Sequence, residues 1–192
     1  REGVETLMAD VVVYGAGGMG GEVAETVLAA AADGEEWSLL GFLDDAPGNS
    51  GNGILALPVL GSADWLRDHP NVQVVMGIGH PWARYCASHK IQELGNRWAT
   101  IIHPQAHLSS SVSVGEGCVV FAGCVLSSRV KLGDLCYLNY LAVASHDAVL
   151  GDHCCIMSQV VLSGNVQVGK GAFIGVGAST RQGVCIGEWS IV

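Results

Sequence analysis

The chain has 192 residues, 49% hydrophobic and 14% charged, with a formal net charge of −9 at pH 7. That length holds one large domain or two small ones. The acidic balance excludes bulk attraction to nucleic acid or an anionic membrane, and no run of 18 uncharged apolar residues offers a span for membrane insertion.

Residues 1–7 precede Met8 and read as an appended leader, and the acidic start lacks the pattern of a secretory signal. Val11-Val12-Val13-Tyr14 predicts a buried strand, 15–21 a glycine loop, and 22–32 a helix that stops near Asp33-Gly34. A strand, a glycine loop and a helix make a phosphate site, because free N–H groups and the positive end of the helix dipole face the anion. Gly15, Gly17 and Gly20 fit G-x-G-x-x-G, which alone is a weak sign of a dinucleotide. Residues 39–43 predict a second strand ending at Asp44-Asp45, where carboxylates commonly accept hydrogen bonds from a ribose or base. The plainer reading is two solvated loop acids before Pro47-Gly48. A Gly/Asn-rich loop follows over 47–58. Ser62 is placed to cap a short helix from Ala63, 72–78 predicts a third strand, 82–94 a helix and 98–102 a strand. Trp65, Trp82 and Trp98 are expected in this domain's core. The segment is half of a doubly wound fold, about 100 residues, and half of such a fold binds one nucleotide rather than NAD.

The second half is periodic. Val114-Gly115, Leu132-Gly133, Leu150-Gly151, Val168-Gly169 and Ile186-Gly187 lie 18 residues apart. Steps of six from Val114 to Val192 meet Val, Ile or Leu everywhere except Ala144 and Thr180, and a small residue follows four places later, as at Cys118, Cys136 and Cys154. Six is no helical period, so short strands and turns wound three to a coil explain both repeats. Glycine is expected to supply positive φ at the turns. Seven cysteines without a Cys-x-x-Cys pair read as small packing groups and reduced thiols, which fits a cytoplasmic protein.

The pattern [LIV]-G-x-x-[small]-x over 112–192 resembles the hexapeptide repeat of left-handed parallel β-helix acyltransferases. With Tyr14-Gly15-Ala16-Gly17-Gly18, Phe42-Leu43-Asp44-Asp45, Gly77-Ile78-Gly79 with Arg84, Ile102-His103-Pro104, Leu138-Asn139 and Ser145-His146-Asp147, nearly the whole chain resembles one family. Its members are the sialic acid O-acetyltransferases and the bacillosamine- and perosamine-type nucleotide-sugar N-acetyltransferases. The resemblance implies an α/β Rossmann-like nucleotide-sugar-binding half-domain over 8–102 and a left-handed β-helix acetyltransferase domain over 103–192. It implies acetyl-CoA as co-substrate, held between β-helices of a homotrimer, and a nucleotide-linked amino sugar as acceptor. By the same resemblance Gly17, Gly18, Met19, Asp44, Asp45 and Gly79 would contact the nucleotide sugar. His146 would be the general base, and Asp147 would orient the imidazole and raise its basicity. Asn139, Cys155, Gly164 and Val176 would line the acetyl-CoA groove. The sequence departs from the family where Met19 and Cys155 replace histidines, and the family continues past the position of Val192 through a partial coil and a tail over the cofactor's adenine end.

Histidine suits the base because its pKa lies near working pH. His146 follows Ala144 by two, a place the hexad leaves variable, whereas a surface histidine on a turn is the reading without the resemblance. Direct attack by the amine is simpler than an acyl-enzyme, since no nucleophile–base pair stands out. His80 follows a strand and is placed to touch the ligand; His103, before Pro104, reads as structural; His153 is a turn residue that could partly replace the absent histidine at 155. Three alternatives stand beside the amino-sugar reading: sugar O-acetylation, a zinc-dependent carbonic anhydrase-like protein, for which His146 and His153 show no third ligand, and a non-catalytic nucleotide-sugar-binding protein. No metal is assigned.

Overall fold

A computed structural model describes residues 8–46 and 55–192. Residues 1–7, read above as appended, and the 47–54 part of the glycine/asparagine stretch lie outside the described residues. The first unit is a four-stranded parallel sheet in the order β3-β2-β1-β4, with β1 (Ala9–Tyr14) between β2 (Trp37–Leu43) and β4 (Gln73–Met76), and β3 (Val59–Gly61) beside β2. Val11 to Tyr14 are buried, as a strand covered on both faces requires. Val11 and Val13 join the core of α1 (Gly18–Ala32); Val12 and Tyr14 join that of α2 (Pro81–Leu94) and the 3-10 helix Ala63–Asp68. Ser62 caps that short helix by accepting from the Asp64 amide.

Residues 101–192 wind as a three-sided parallel β-helix. Its first side stacks Ile101–Ile102, Val119–Val120, Tyr137–Leu138, Cys155–Ile156 and Phe173–Ile174; its second His107–Leu108, Val125–Leu126, Val143–Ala144 and Val161–Leu162; its third Lys131–Leu132, Val149–Leu150, Gln167–Val168 and Cys185–Ile186. Every pairing joins residues 18 apart, as Tyr137 to Cys155. The aliphatic hexad positions from Val120 to Ile174 are at most 5% exposed, and the small slots from Cys118 to Ala172 are fully buried. Cys118, Cys136 and Cys154 form a column of free thiols, each 3.1 Å from the carbonyl of Gly133, Gly151 or Gly169.

Two expectations need correction, and the part glycine plays in the turns is more specific than expected. The strand expected at 98–102 divides: Trp98 bridges to Val74 in the first sheet, while Ile101–Ile102 begins the β-helix beside Val119–Val120. The hexad already runs there as Ile102, Ala106, Leu108 and Val112, without the glycine that marks later coils. Glycine does supply positive φ at the turns of Gly117, Gly123, Gly171, Gly177 and Gly183, but the paired glycines are not among the positive-φ residues. From Gly117 to Trp189 every sixth residue has φ between 56° and 72°, two places after the paired glycine's position, and Arg129, Asp147 and His153 are among them. The paired glycines instead let coils touch: a Cβ on Gly133 would lie 2.4 Å from Asp152 Oδ1 and 2.9 Å from the Gly151 carbonyl carbon. Trp82 is exposed rather than in the core and packs edge-on against Trp189.

The two units meet along the first side. Arg84 of α2 is fully buried there, with Nη1 donating to the Ile78 carbonyl at 3.0 Å and Nη2 to Leu135 at 2.7 Å. Its guanidinium lies 5.0 Å from the centre of the Tyr137 ring, a cation–π contact that offsets part of the cost of burying charge.

Candidate active site

The carboxyl edge of the first sheet carries the glycine loop. Gly15 has φ +114°, and a Cβ on Gly20 would lie 1.9 Å from the Gly15 carbonyl oxygen, so loop and helix close only with glycine at both. Gly17 and Gly18 face open space, and no side chain caps α1 at Gly17. The free amides of the first turn therefore point at an open cradle suited to a phosphate. Asp44 holds this loop, accepting from the Ala16 and Ala46 amides at 2.8 Å each. Asp45 accepts from the Tyr14 hydroxyl at 2.5 Å, Lys90 Nζ at 2.6 Å and the Ala63 amide at 2.9 Å. Burial alone would raise its pKa, but the Lys90, Tyr14 and Ala63 hydrogen bonds outweigh it and hold the carboxyl low. Burial and Asp45 push the Tyr14 phenol up. Neither acid is the free loop residue of the plainer reading: Asp44 braces the cradle, and Asp45 ties the end of β2 to β1, α2 and the short helix.

Met19 stands between the units. Its sulfur takes a hydrogen bond from the Tyr137 hydroxyl, and its Cε lies 3.3 Å from where a Gly79 Cβ would be. Beyond Gly79, His80 and Trp82 line a cavity of about 430 Å³ with Phe173, Trp189 and Ile191.

The turn after the second side carries His146. Its Nδ1 lies 2.8 Å from Asp147 Oδ2. Arg129, one coil earlier, holds Asp147 through both oxygens, Nε to Oδ1 at 2.6 Å and Nη2 to Oδ2 at 2.9 Å. Arg129 first, then His146, keep the Asp147 carboxyl well below the usual carboxylate range. An ionised acceptor assigns the proton to Nδ1 and leaves the Nε2 lone pair free. One coil later, Gly164 seats the ring: a Cβ there would lie 2.5 Å from Nε2. Arg129 is not picked out by sequence reasoning, although its signal, a spacing of 18 before Asp147, is present.

The other predicted residues lie elsewhere in the chain. Asn139 and Val176 occupy the turns after the first side; Asn139 is buried with Oδ1 accepting from the Tyr140 amide at 2.7 Å, and Val176 is 68% exposed. Cys155 is fully buried on the first side, where burial raises its thiol pKa. His153 is buried edge-on against Tyr85 with Nδ1 unpartnered, and His103 accepts locally from the Gln105 amide. One chain thus presents Asn139 and Val176 at one edge of the second side and His146 and Gly164 at the other. Among the described residues no group of three or more His, Cys, Asp or Glu could hold a metal, and no helix is long and apolar enough to cross a membrane.

Residues 10–91 match the model of the PglD N-terminal domain. No curated protein matches the chain. Among solved structures, PerB from Caulobacter crescentus, in complex with CoA and GDP-perosamine, is 32% identical with a TM-score of 0.85, over 96% of this chain and 86% of that one. The acetyltransferase domain of PglB from Neisseria gonorrhoeae FA1090, in complex with acetyl coenzyme A, is 31% identical with a TM-score of 0.84, over 93% and 85%. WeeI from Acinetobacter baumannii AYE, 22% identical with a TM-score of 0.67, shares the fold. A Rossmann-like α/β unit on a left-handed β-helix, matched along almost its whole length, places the chain in the nucleotide-sugar N-acetyltransferase family of hexapeptide-repeat enzymes.

Proposed function

We propose that the protein transfers the acetyl group of acetyl-CoA to the amine of a nucleotide-linked amino sugar, with His146 as general base. The observation that carries this is the His146–Asp147 pair, seated on Gly164 at an exposed turn. The neutral amine attacks the thioester carbonyl carbon and the C–S bond breaks. The amine proton passes to His146 Nε2 and on to the departing CoA sulfur, while Asp147 keeps Nδ1 protonated and stabilises the transient imidazolium. Gly17 and Gly18 offer amides to the pyrophosphate, Asp44 braces that loop, Asp45 lies beside it at the end of β2, and Met19 and Gly79 flank the sugar.

A homotrimer completes the site in this reading. The first unit covers the first side, whereas His146 lies beyond the second, whose outward Val125 and Val161 are 37% and 40% exposed. Packing that side against a neighbour would bury these valines and bring Asn139 and Val176 of one subunit toward His146 of the next, whereas Cys155, fully buried under the first unit 3.8 Å from the Gly79 carbonyl, does not reach that cleft. The thiol column and the acetyl-CoA requirement fit a cytoplasmic setting.

The test is acetyl transfer to UDP-, dTDP- and GDP-linked 4-amino sugars. His146→Ala is expected to lower the rate by ~10²–10⁴. A variant as fast as wild type refutes the assignment of the base, and transfer only to hydroxyl-bearing analogues would favour O-acetylation.

A further inference from the structure

We propose that Arg129 is a positioning residue for acetyl transfer: from the preceding coil it fixes the Asp147 carboxylate so that His146 keeps one tautomer and one orientation. The inference rests on His146 being the base.

Residues 18 apart stack in this β-helix, so Ser111, Arg129 and Asp147 fall on one column. The Arg129 amide donates to Ser111 Oγ at 2.9 Å, and its guanidinium fork takes both Asp147 oxygens. Two consecutive coils thus meet at one carboxylate, and the coil before them holds the Arg129 backbone through Ser111. Oδ2 is shared: it accepts from Arg129 Nη2 at 2.9 Å and from His146 Nδ1 at 2.8 Å. A carboxylate held only by an imidazole turns easily about its last torsion, where preferences are broad. A planar fork with two donors fixes the plane of the carboxylate, and a lysine ammonium would not.

The setting argues against a mainly structural role. The Arg129 side chain is 62% exposed, and an exposed ion pair adds little to stability. What the pair does accomplish is geometric. With Oδ2 fixed, Nδ1–H points at it, and Nε2 is directed over Gly164 with its lone pair available for the amine proton. The charge of Arg129 also keeps Asp147 ionised, so the acceptor for Nδ1–H persists throughout turnover.

The experiment compares Arg129→Gln, Arg129→Lys, Asp147→Asn and the Arg129→Gln/Asp147→Asn double variant by steady-state kinetics. Arg129→Gln is expected to lower kcat about tenfold with both KM values within about twofold of wild type. Arg129→Lys, which keeps the charge and loses the fork, should remain well below wild type. The double variant should be no slower than Asp147→Asn alone, because Arg129 acts through Asp147. A wild-type kcat in Arg129→Gln, a raised KM with unchanged kcat, or an additive loss in the double variant each overturns the proposal. The ¹⁵N spectrum of the His146 imidazole, assigned with His146→Gln, gives a readout without turnover: Nδ1–H in wild type and mixed tautomers in Arg129→Gln. An unchanged tautomer there overturns the proposal. Absence of acetyl transfer by wild type to any amino sugar refutes the reading of the site instead, and the imidazole spectrum still decides the role of Arg129.

Discussion

Replacing Gly164 by alanine puts a methyl group where the His146 ring now lies. The new Cβ would sit 2.5 Å from Nε2, 2.6 Å from Cε1 and 3.2 Å from Cδ2. Carbon and nitrogen settle at about 3.5 Å, so the ring must retreat by roughly 1 Å. Gly164 does not have positive φ, and its neighbour is a side chain 47% exposed, so the ring can swing away at little cost to folding. The melting temperature is expected to stay within about 3 °C of wild type, equivalent to about 1 kcal/mol for a chain of this size. Activity should not survive the move so well, because the retreat breaks the 2.8 Å contact to Asp147 and displaces Nε2 from the amine. A misplacement of about 1 Å costs on the order of 10²-fold, or about 2.7 kcal/mol of barrier. The assay is release of free CoA thiol, read as kcat and KM for each substrate. An unchanged kcat would refute the reasoning. So would a raised KM for acetyl-CoA alone, since Gly164 would then only line the cofactor groove.

Arg84→Ala leaves the carbonyls of Ile78 and Leu135 without their donor where the two units meet and is expected to lose about 3–5 kcal/mol in urea unfolding; Arg84→Met, which fills most of the volume, should lose clearly less. His153 is pushed down to about 4, by burial first and then by Arg84 and Lys170, whereas an unfolded histidine titrates near 6.5. Unfolding therefore takes up a proton between those values, so stability falls as pH drops from about 6.5 toward 4 and levels off below. The loss should be about 1–3 kcal/mol by urea midpoint, and His153→Phe should remove that part of the slope. Gly133→Ala, whose Cβ would strike the next coil, should cost more than about 2 kcal/mol. Gly177→Ala, in open space at φ +72°, should cost only about 1 kcal/mol, measured by the same unfolding assay.

The β-helix was legible because two independent positions obey the hexad, and a period states the architecture before any contact is known. Where the hexad lacks its glycine, as at Ile102, the first coil was harder to see, and strand propensity assigned Ile101–Ile102 to the wrong sheet. The glycine cradle was legible in its spacing, yet the partners of Asp44 and Asp45 were not. Lys90 reaches Asp45 from 45 residues away, and no local pattern announces such a pairing. His146 and Asp147 were found as neighbours on one turn by resemblance. Arg129 was hidden because its link to them is vertical, across coils, where only the 18-residue register reveals it. Trp82 was misplaced because composition places an indole inside by default, while here its exposed ring meets Trp189, a residue more than 100 positions away.

The hexad separates what holds the coil from what does chemistry on it. The aliphatic position and the small slot four residues later are buried and tolerate little change in size. The second and third residues after the aliphatic form the turn: Gly164 and His146 occupy the second, Arg129 and Asp147 the third. The third is held at positive φ in every coil from Gly117 to Trp189, so its side chain leaves the turn in a repeated direction and meets its equivalent about 4.8 Å away on the next coil. Glycine would be the least strained residue there; placing arginine and aspartate on consecutive coils instead gives a charged pair whose geometry the backbone repeat sets. The histidine proposed as the base, set beside that aspartate, inherits the precision of the solenoid without loading its core. In this architecture a substitution at the turn positions should therefore change turnover more than stability, and one at the aliphatic or small positions should do the reverse.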